Sequence, residues 1–261
     1  MRTERAQVAG SWLGVVAVLS AGACGGPASS APFPLGTAGL PAAALVYEQE
    51  TDGNNDLYLI PTGGGPAVRL TDHPASDGLA RWACDGLSIL FTSNQDGPEC
   101  LWLMERPTGT VRNLVRHGNR TIMGNPHWSP AGERIVFSSN WRIGHQMYVV
   151  EVATGKQTRV SALTSGGCEP RFSRDGKRVV FVSRGHLGEH SRLVQHDLET
   201  GKVNVLVRWS ALNYDPVYSP DGTEIAFASN ITGEYAIYRQ RLSDGIAQRV
   251  TFGKGPARYP D

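Results

Sequence analysis

The sequence predicts an all-β fold, a five-bladed β-propeller built of four-stranded antiparallel blades. Three observations lead there. A strand-turn-strand stretch, Pro126-His127-Trp128-Ser129-Pro130-Ala131-Gly132 running into Ile135 and Phe137, has further copies around Trp82, Phe172 and Tyr218. Landmarks within each copy keep their spacing along the chain, the mark of a repeat architecture. The composition, with 31 Gly and 16 Pro and only 19% charged residues, suits many short strands joined by tight turns.

The repeat is counted on its second strand. Tyr47, Phe91, Phe137, Phe181 and Phe227 lie 44, 46, 44 and 46 residues apart. A third-strand residue follows each: Tyr58, Trp102, Tyr148, Val194 and Tyr238, 11 residues on in every unit but the fourth, where it is 13. Seven residues later comes a glycine: Gly65, Gly109, Gly155, Gly201 and Gly245. An apolar fourth-strand residue lies 12 after the third-strand landmark: Leu70, Leu114, Val160, Leu206 and Val250. Alternation of apolar and polar residues marks these segments as strands. A sheet of this size is marginal alone, and radial packing against its neighbours buries both faces. Trp82, Trp128, Phe172 and Tyr218 are expected to pack between blades. Asn94, Asn140 and Asn230 each follow a second-strand Ser and are expected to make local turn hydrogen bonds.

Before the repeats, residues 1–23 read as an export signal: Arg2 and Arg5, an apolar core from Val8 to Leu19, then small residues. Ser20-Ala21-Gly22-Ala23-Cys24 is similar to a lipoprotein cleavage site, which would leave Cys24 lipidated. Ordinary cleavage after Ala23 is the alternative. Residues 24–42 form an uncharged Gly/Pro/Ala/Ser tether, and 43–261 the propeller. The first unit has strands 2, 3 and 4 but no strand 1. Pro256 and Pro260 repeat the spacing of Pro126 and Pro130, so the C-terminal strand is expected to pair beside Ala44–Tyr47 and close the ring.

Charge excludes some classes. The whole chain carries a formal +1, and after residue 23 it holds 23 basic and 23 acidic side chains. No basic balance points to nucleic acid. After Cys24 there are Cys84, Cys100 and Cys168, without Cys-x-x-Cys spacing, so no zinc site is expected. Cys84 and Cys100 fall at opposite ends of a blade and are expected not to be bonded.

The recurring Pro-x-Trp-Ser-Pro-Asp-Gly…Ile-x-Phe-x-Ser-Asn…Tyr…Thr-Gly…Arg-Val-Thr pattern, from Ala44 to Asp261, resembles the TolB-like propeller repeat. That family includes periplasmic TolB and the propeller domains of prolyl oligopeptidase-type peptidases. The resemblance implies the fold. TolB itself has six blades and an N-terminal α/β domain, against five units behind a tether here. No Gly-x-Ser-x-Gly nucleophile elbow occurs in the sequence.

Candidate chemistry lies where the copies differ. Asn125, Glu169 and Asp215 precede the first-strand proline, and with Leu79 and Gly255 they would ring the channel mouth, where carboxylates and an amide could hold a cation or polar ligand. Turn hydrogen bonding to nearby backbone is the competing reading. Trp141, Arg142 and His145 fall in one exposed loop and suit partner contact. His186-Leu187-Gly188-Glu189-His190 matches an inverted zincin motif but falls in a Gly-flanked hairpin loop, not a helix, and no metal is assigned to it.

The expected function is a non-enzymatic scaffold presenting propeller loops to a protein or peptide partner in the cell envelope, without cofactor, monomeric, in the periplasm or at the cell surface. The alternative is a carbohydrate-active enzyme with carboxylates in the channel.

Overall fold

Alternating apolar residues put one row of side chains on each face of a strand, and glycines at fixed places turn the chain back. A computed structural model describes residues 44–51, 53–106, 109–117, 123–140, 145–160, 166–184, 190–253, 255–258 and 260. They form a five-bladed β-propeller. Blade 1 comprises β1 (Ala44–Thr51), β2 (Asn54–Pro61) and β3 (Val68–Arg69). Blade 2 comprises β4 (Asp77–Trp82), β5 (Ser88–Ser93), β6 (Cys100–Glu105) and β7 (Thr110–Val115). Blade 3 has β8 (Met123–Trp128), β9 (Arg134–Ser139), β10 (Gln146–Glu151) and β11 (Gln157–Arg159). In blade 4 the strands are β12 (Cys168–Phe172), β13 (Arg178–Arg184), β14 (Ser191–Asp197) and β15 (Val203–Val207). Blade 5 has β16 (Asn213–Tyr218), β17 (Glu224–Ser229), β18 (Ala236–Arg241) and β19 (Ala247–Arg249). Within each sheet consecutive strands are antiparallel neighbours.

The sequence landmarks are cross-strand partners. Tyr47 faces Tyr58, Phe91 faces Trp102, Phe137 faces Tyr148, Phe181 faces Val194 and Phe227 faces Tyr238. The fourth unit keeps this register, and its two extra residues lengthen the hairpin by one cross-strand pair, Arg184 with Ser191, so that β13 and β14 have 7 residues each. Glycines at the third turn take φ near 70° in blades 2 to 5, a left-handed conformation that disfavours any Cβ.

Burial follows the faces. Ile89, Phe91 and Trp102 of blade 2 pack on Val46 and Leu59 of blade 1, and Leu90, Leu101 and Leu103 pack on Ile135, Phe137 and Tyr148 of blade 3. The same arrangement joins blade 3 to blade 4 and blade 4 to blade 5. Phe91, Phe137, Phe181 and Phe227 are almost wholly buried. Trp82, Trp128 and Phe172 are buried between blades as expected, and Tyr218 packs partly buried in the last cluster. No disulfide joins Cys84 and Cys100, which with Cys168 are thiols.

The first sheet has three strands, and among the described residues no C-terminal strand pairs with β1. Instead the Ala257 N–H donates to the Tyr235 carbonyl at 2.8 Å, and the Arg258 guanidinium lies 3.9 Å over the Tyr235 ring. The bond repeats that of Gly167 N–H to His145 O. Ala257 therefore matches Gly167, and Pro260 matches Pro126. The segment sits against blade 5 as the start of a first strand, four residues out of the register that the proline spacing suggested.

The face of blade 5 turned away from blade 4 is more polar than its counterparts. Ala226 and Arg239 stand where blade 2 has Leu90 and Leu103. Val250, at 50% exposure, stands where Leu114 is buried.

Candidate functional site

Strands β4, β8, β12 and β16 are the first strands of their sheets and touch one another in succession, which makes them the wall of the central channel. Each breaks its pairing at the same place. In blade 2, Gly78 pairs with Thr92 and Arg81 with Leu90, so Leu79 and Ala80 together face Phe91. Asn125-Pro126, Glu169-Pro170 and Asp215-Pro216 do the same opposite Phe137, Phe181 and Phe227. These are β-bulges, two residues against one. The first residue of each is left-handed: φ is 51° at Leu79, 50° at Asn125, 55° at Glu169 and 52° at Asp215. Among the described residues no other non-glycine has positive φ. Proline suits the second place because no ladder N–H is needed there.

The bulges are tied together by side chains. Glu169 Oε2 accepts a 2.8 Å hydrogen bond from the Asp215 N–H one blade on. Glu48 Oε1 accepts from the Leu79 N–H, also one blade on, at 2.5 Å. Glu99 is held by the Thr92 side chain and the Met123 backbone of the next blade, and burial pushes its carboxyl above the usual range. Within blades 2 and 3, Thr92 and Ser138 hydroxyls donate to the Gly78 and Gly124 carbonyls at 3.1 and 3.0 Å.

A second polar cluster joins blades 1 and 2. Asp56 is buried and paired with Arg69 at 2.5 Å. Asp77, also buried, is bonded by Ser93 and Thr71 and sits close enough to Asp56 for their charges to repel. Burial foremost, and this repulsion in part, hold the Asp77 carboxyl above its usual range. At the corresponding junction of blades 4 and 5, the Asn213 amide donates to Ser191 O at 2.6 Å and the Asn213 N–H to Ser191 Oγ. No group of three or more His, Cys, Asp or Glu suited to a metal occurs among the described residues.

The TolB beta propeller domain model matches residues 109–260, more than half of the chain. This chain belongs to the TolB beta-propeller domain family. The "Uncharacterized peptidase YuxL" of Bacillus subtilis is 25% identical over 202 residues, 76% of this chain and 29% of that protein. The Tol-Pal system protein TolB of Francisella tularensis subsp. mediasiatica is 23% identical over 191 residues, 72% of this chain and 43% of that protein. This chain thus spans less than half the length of either. TolB from Acinetobacter baumannii superposes with a TM-score of 0.64 at 22% identity, covering 76% of this chain and 49% of that one. An oligogalacturonate lyase in complex with manganese superposes with a TM-score of 0.65 at 15% identity, over 80% of this chain and 62% of that one. At these identities the structures establish fold alone.

On the TolB-type propeller the sequence-predicted residues fall unevenly. Asn125, Glu169 and Asp215 share one structural position on consecutive inner strands, and Glu169 meets Asp215 through its backbone amide. His145 is exposed and its carbonyl accepts the Gly167 N–H at 2.7 Å. Trp141, Arg142, Cys24 and His186 to Glu189 lie outside the described residues, as do the expected signal and tether. Asn94 and Asn230 do more than turn locally: their amide oxygens accept the Ser76 and Leu212 N–H groups, 18 residues back, and so pin the loop beyond the second strand to the entrance of the first.

Glu48, Glu99 and the Asp56–Asp77 pair were missed by sequence reasoning. Glu48 had a signal: it follows the second-strand landmark where other units have Thr92, Ser138, Val182 and Ala228.

Proposed function

We propose that this TolB-type propeller is an exported, non-enzymatic binding scaffold that presents its channel mouth and adjoining loops to a protein or peptide partner in the cell envelope. The observation that carries this reading is the employment of the rim carboxylates. Glu48 and Glu169 each accept a backbone N–H of the next blade, and Glu99 is held at its own junction. Such groups join blades rather than await a substrate. A catalytic pair would need one carboxyl to give and one to take a proton at a bond between them. In this reading residues 1–23 direct export, Cys24 carries lipid, residues 24–42 are the tether, and the protein is a cofactor-free monomer in the periplasm or at the cell surface.

A carbohydrate-active enzyme is the second reading, favoured by the placing of Glu169 and Asp215 at neighbouring bulges of one channel wall. Crosslinking and pull-down from the native envelope, with Cys24→Ser as anchoring control, tests the first. One or a few specific proteins should be captured, and the loop variant Trp141→Ala should weaken capture. Turnover of an oligosaccharide, abolished by both Glu169→Gln and Asp215→Asn in folded protein, would instead establish the enzyme.

A further inference from the structure

Blade 1 differs from the other blades at its channel side. In blades 2 to 5 a first strand pairs with the inner edge of the second, whereas among the described residues β1 pairs with β2 alone. What covers that edge elsewhere is uniform. The last residue of each first strand is aromatic and faces a branched aliphatic residue of the second: Trp82 with Ile89, Trp128 with Ile135, Phe172 with Val179 and Tyr218 with Ile225. Two places earlier stands Ala80, Pro126, Pro170 or Pro216, the second residue of the bulge. Ile89, Ile135, Val179 and Ile225 are fully buried. Leu45 holds their repeat position in β1 and is partly exposed. So is Tyr47, which stands where the other blades have their almost wholly buried phenylalanines. Thr92 and Ser138 hydroxyls bond the first strands of their own blades, but Glu48 in the same place bonds the Leu79 N–H of blade 2. The C-terminal segment does not supply the missing contact. Its described residues are held to blade 5 at Tyr235, and in the register of that bond none stands opposite Leu45.

An antiparallel strand turns alternate N–H and C=O groups to each side, so the eight residues of β1, paired on one side, present about half of theirs to the channel edge. An edge of this kind is a template for a further strand. We infer that the inner edge of β1 is a strand-addition site for an extended segment of a partner protein. That segment carries Pro-x-aromatic, as three of the four first strands do, and sets its aromatic side chain against Leu45 and its proline opposite Tyr47. Main-chain hydrogen bonds hold the added strand, and the aromatic place selects it. The four blades that possess a first strand define the chemistry, because the added segment continues the same interface on a fifth. This inference rests on the reading of the protein as a scaffold for a protein or peptide partner, and it names how that partner is held.

The test is titration of the full chain with a synthetic peptide of residues 123–129, Met-Gly-Asn-Pro-His-Trp-Ser, a first strand of the same repeat. Saturable binding is expected. Hydrogen exchange reports the edge: in the protein alone, alternate amides from Leu45 to Gln49 should be slowed by β2 and the others should exchange fast, and saturating peptide should slow the others too. Alanine in place of the peptide's tryptophan is expected to weaken binding about tenfold to a hundredfold, as for one buried aromatic side chain. Leu45→Lys in the protein should weaken it likewise, while Val111→Lys, exposed on the outer strand of blade 2, should bind as the parent does. No saturation, or parental affinity for the alanine peptide, overturns the site, and this comparison needs no protein variant. Amides from Leu45 to Gln49 that are all slow in the protein alone would show that a segment of the chain itself pairs with β1, which also overturns it. Partner capture from the native envelope separates this inference from the scaffold reading. Capture lost in folded Leu45→Lys supports strand addition; capture undiminished overturns it and leaves the scaffold standing.

Discussion

Glu169 Oε2 takes the backbone N–H of Asp215 across 2.8 Å, joining two left-handed bulge residues 46 positions apart. The bond ties blade 4 to blade 5 at the channel wall and gives a partner to a backbone donor that the bulge has removed from its ladder. Glu169→Ala is expected to cost about 1–3 kcal/mol, since the N–H loses a charged acceptor. Glu169→Gln keeps an acceptor and should cost less. Urea unfolding with unchanged slope measures both, and equal losses in the two variants would show that the carboxylate charge is irrelevant.

Leu79 occupies the same left-handed place with φ of 51°. A left-handed L-residue carries a penalty of about 1–2 kcal/mol, least for Gly, Asn and Asp. Leu79→Asn should leave the melting temperature unchanged or raised, and Leu79→Val, β-branched, should lower it. A valine variant as stable as the parent would mean that this bulge relaxes.

Gly167 is one of two tight points between blades 3 and 4, with Gly166 beside it. A Cβ there would lie 2.8 Å from Phe181 Cδ2 and 3.0 Å from Met147 Cγ. Gly167→Ala is expected to destabilise by about 1–3 kcal/mol through overpacking. Thermal unfolding checks it, and pairing with Met147→Ala should recover part of the loss.

His127 gives a pH signature. Burial first, then Arg171 and Arg81, lower its pKa from 6.5 to about 3. Between those values the unfolded chain binds a proton that the folded one refuses, so this residue's effect is a loss of stability as pH falls from 6.5 toward 3. Asp77 works the other way within acid. Its pKa is raised above 3.8, chiefly by burial, so the folded state binds the proton more tightly and the benefit is lost as pH rises through the folded value. His127→Gln should flatten the acid limb of stability against pH. Asp77→Asn should raise stability at neutral pH. Chemical denaturation from pH 3.5 to 8 measures both slopes, and an unchanged acid limb in His127→Gln would refute the assignment.

At the C-terminus, Arg258 stacks on Tyr235 and Ala257 bonds its carbonyl. Removing residues 256–261 should cost about 1–2 kcal/mol, or roughly 2–8 °C in melting temperature for a domain of this size. An unchanged melting temperature would show that the segment does not hold blade 5.

The repeat was legible in the chain because its causes are local. Phe91, Phe137, Phe181 and Phe227 recur wherever a second strand must fill the space between two blades, and the turn glycines recur where φ must be positive. Those requirements act on single positions, so they determine blade count and the pairing of second with third strands. Tertiary structure decided what the special residues do. That Glu169 reaches Asp215, that Asn94 bonds Ser76, and that Ala257 rather than Pro256 sets the C-terminal register are contacts between segments far apart in sequence. The sequence marked Asn125, Glu169 and Asp215 as different from their neighbours, but only the packing of inner strands around one channel turned that difference into left-handed bulges joined blade to blade. Local preference acts at each residue; the direction in which a side chain finds its partner is set by the whole ring.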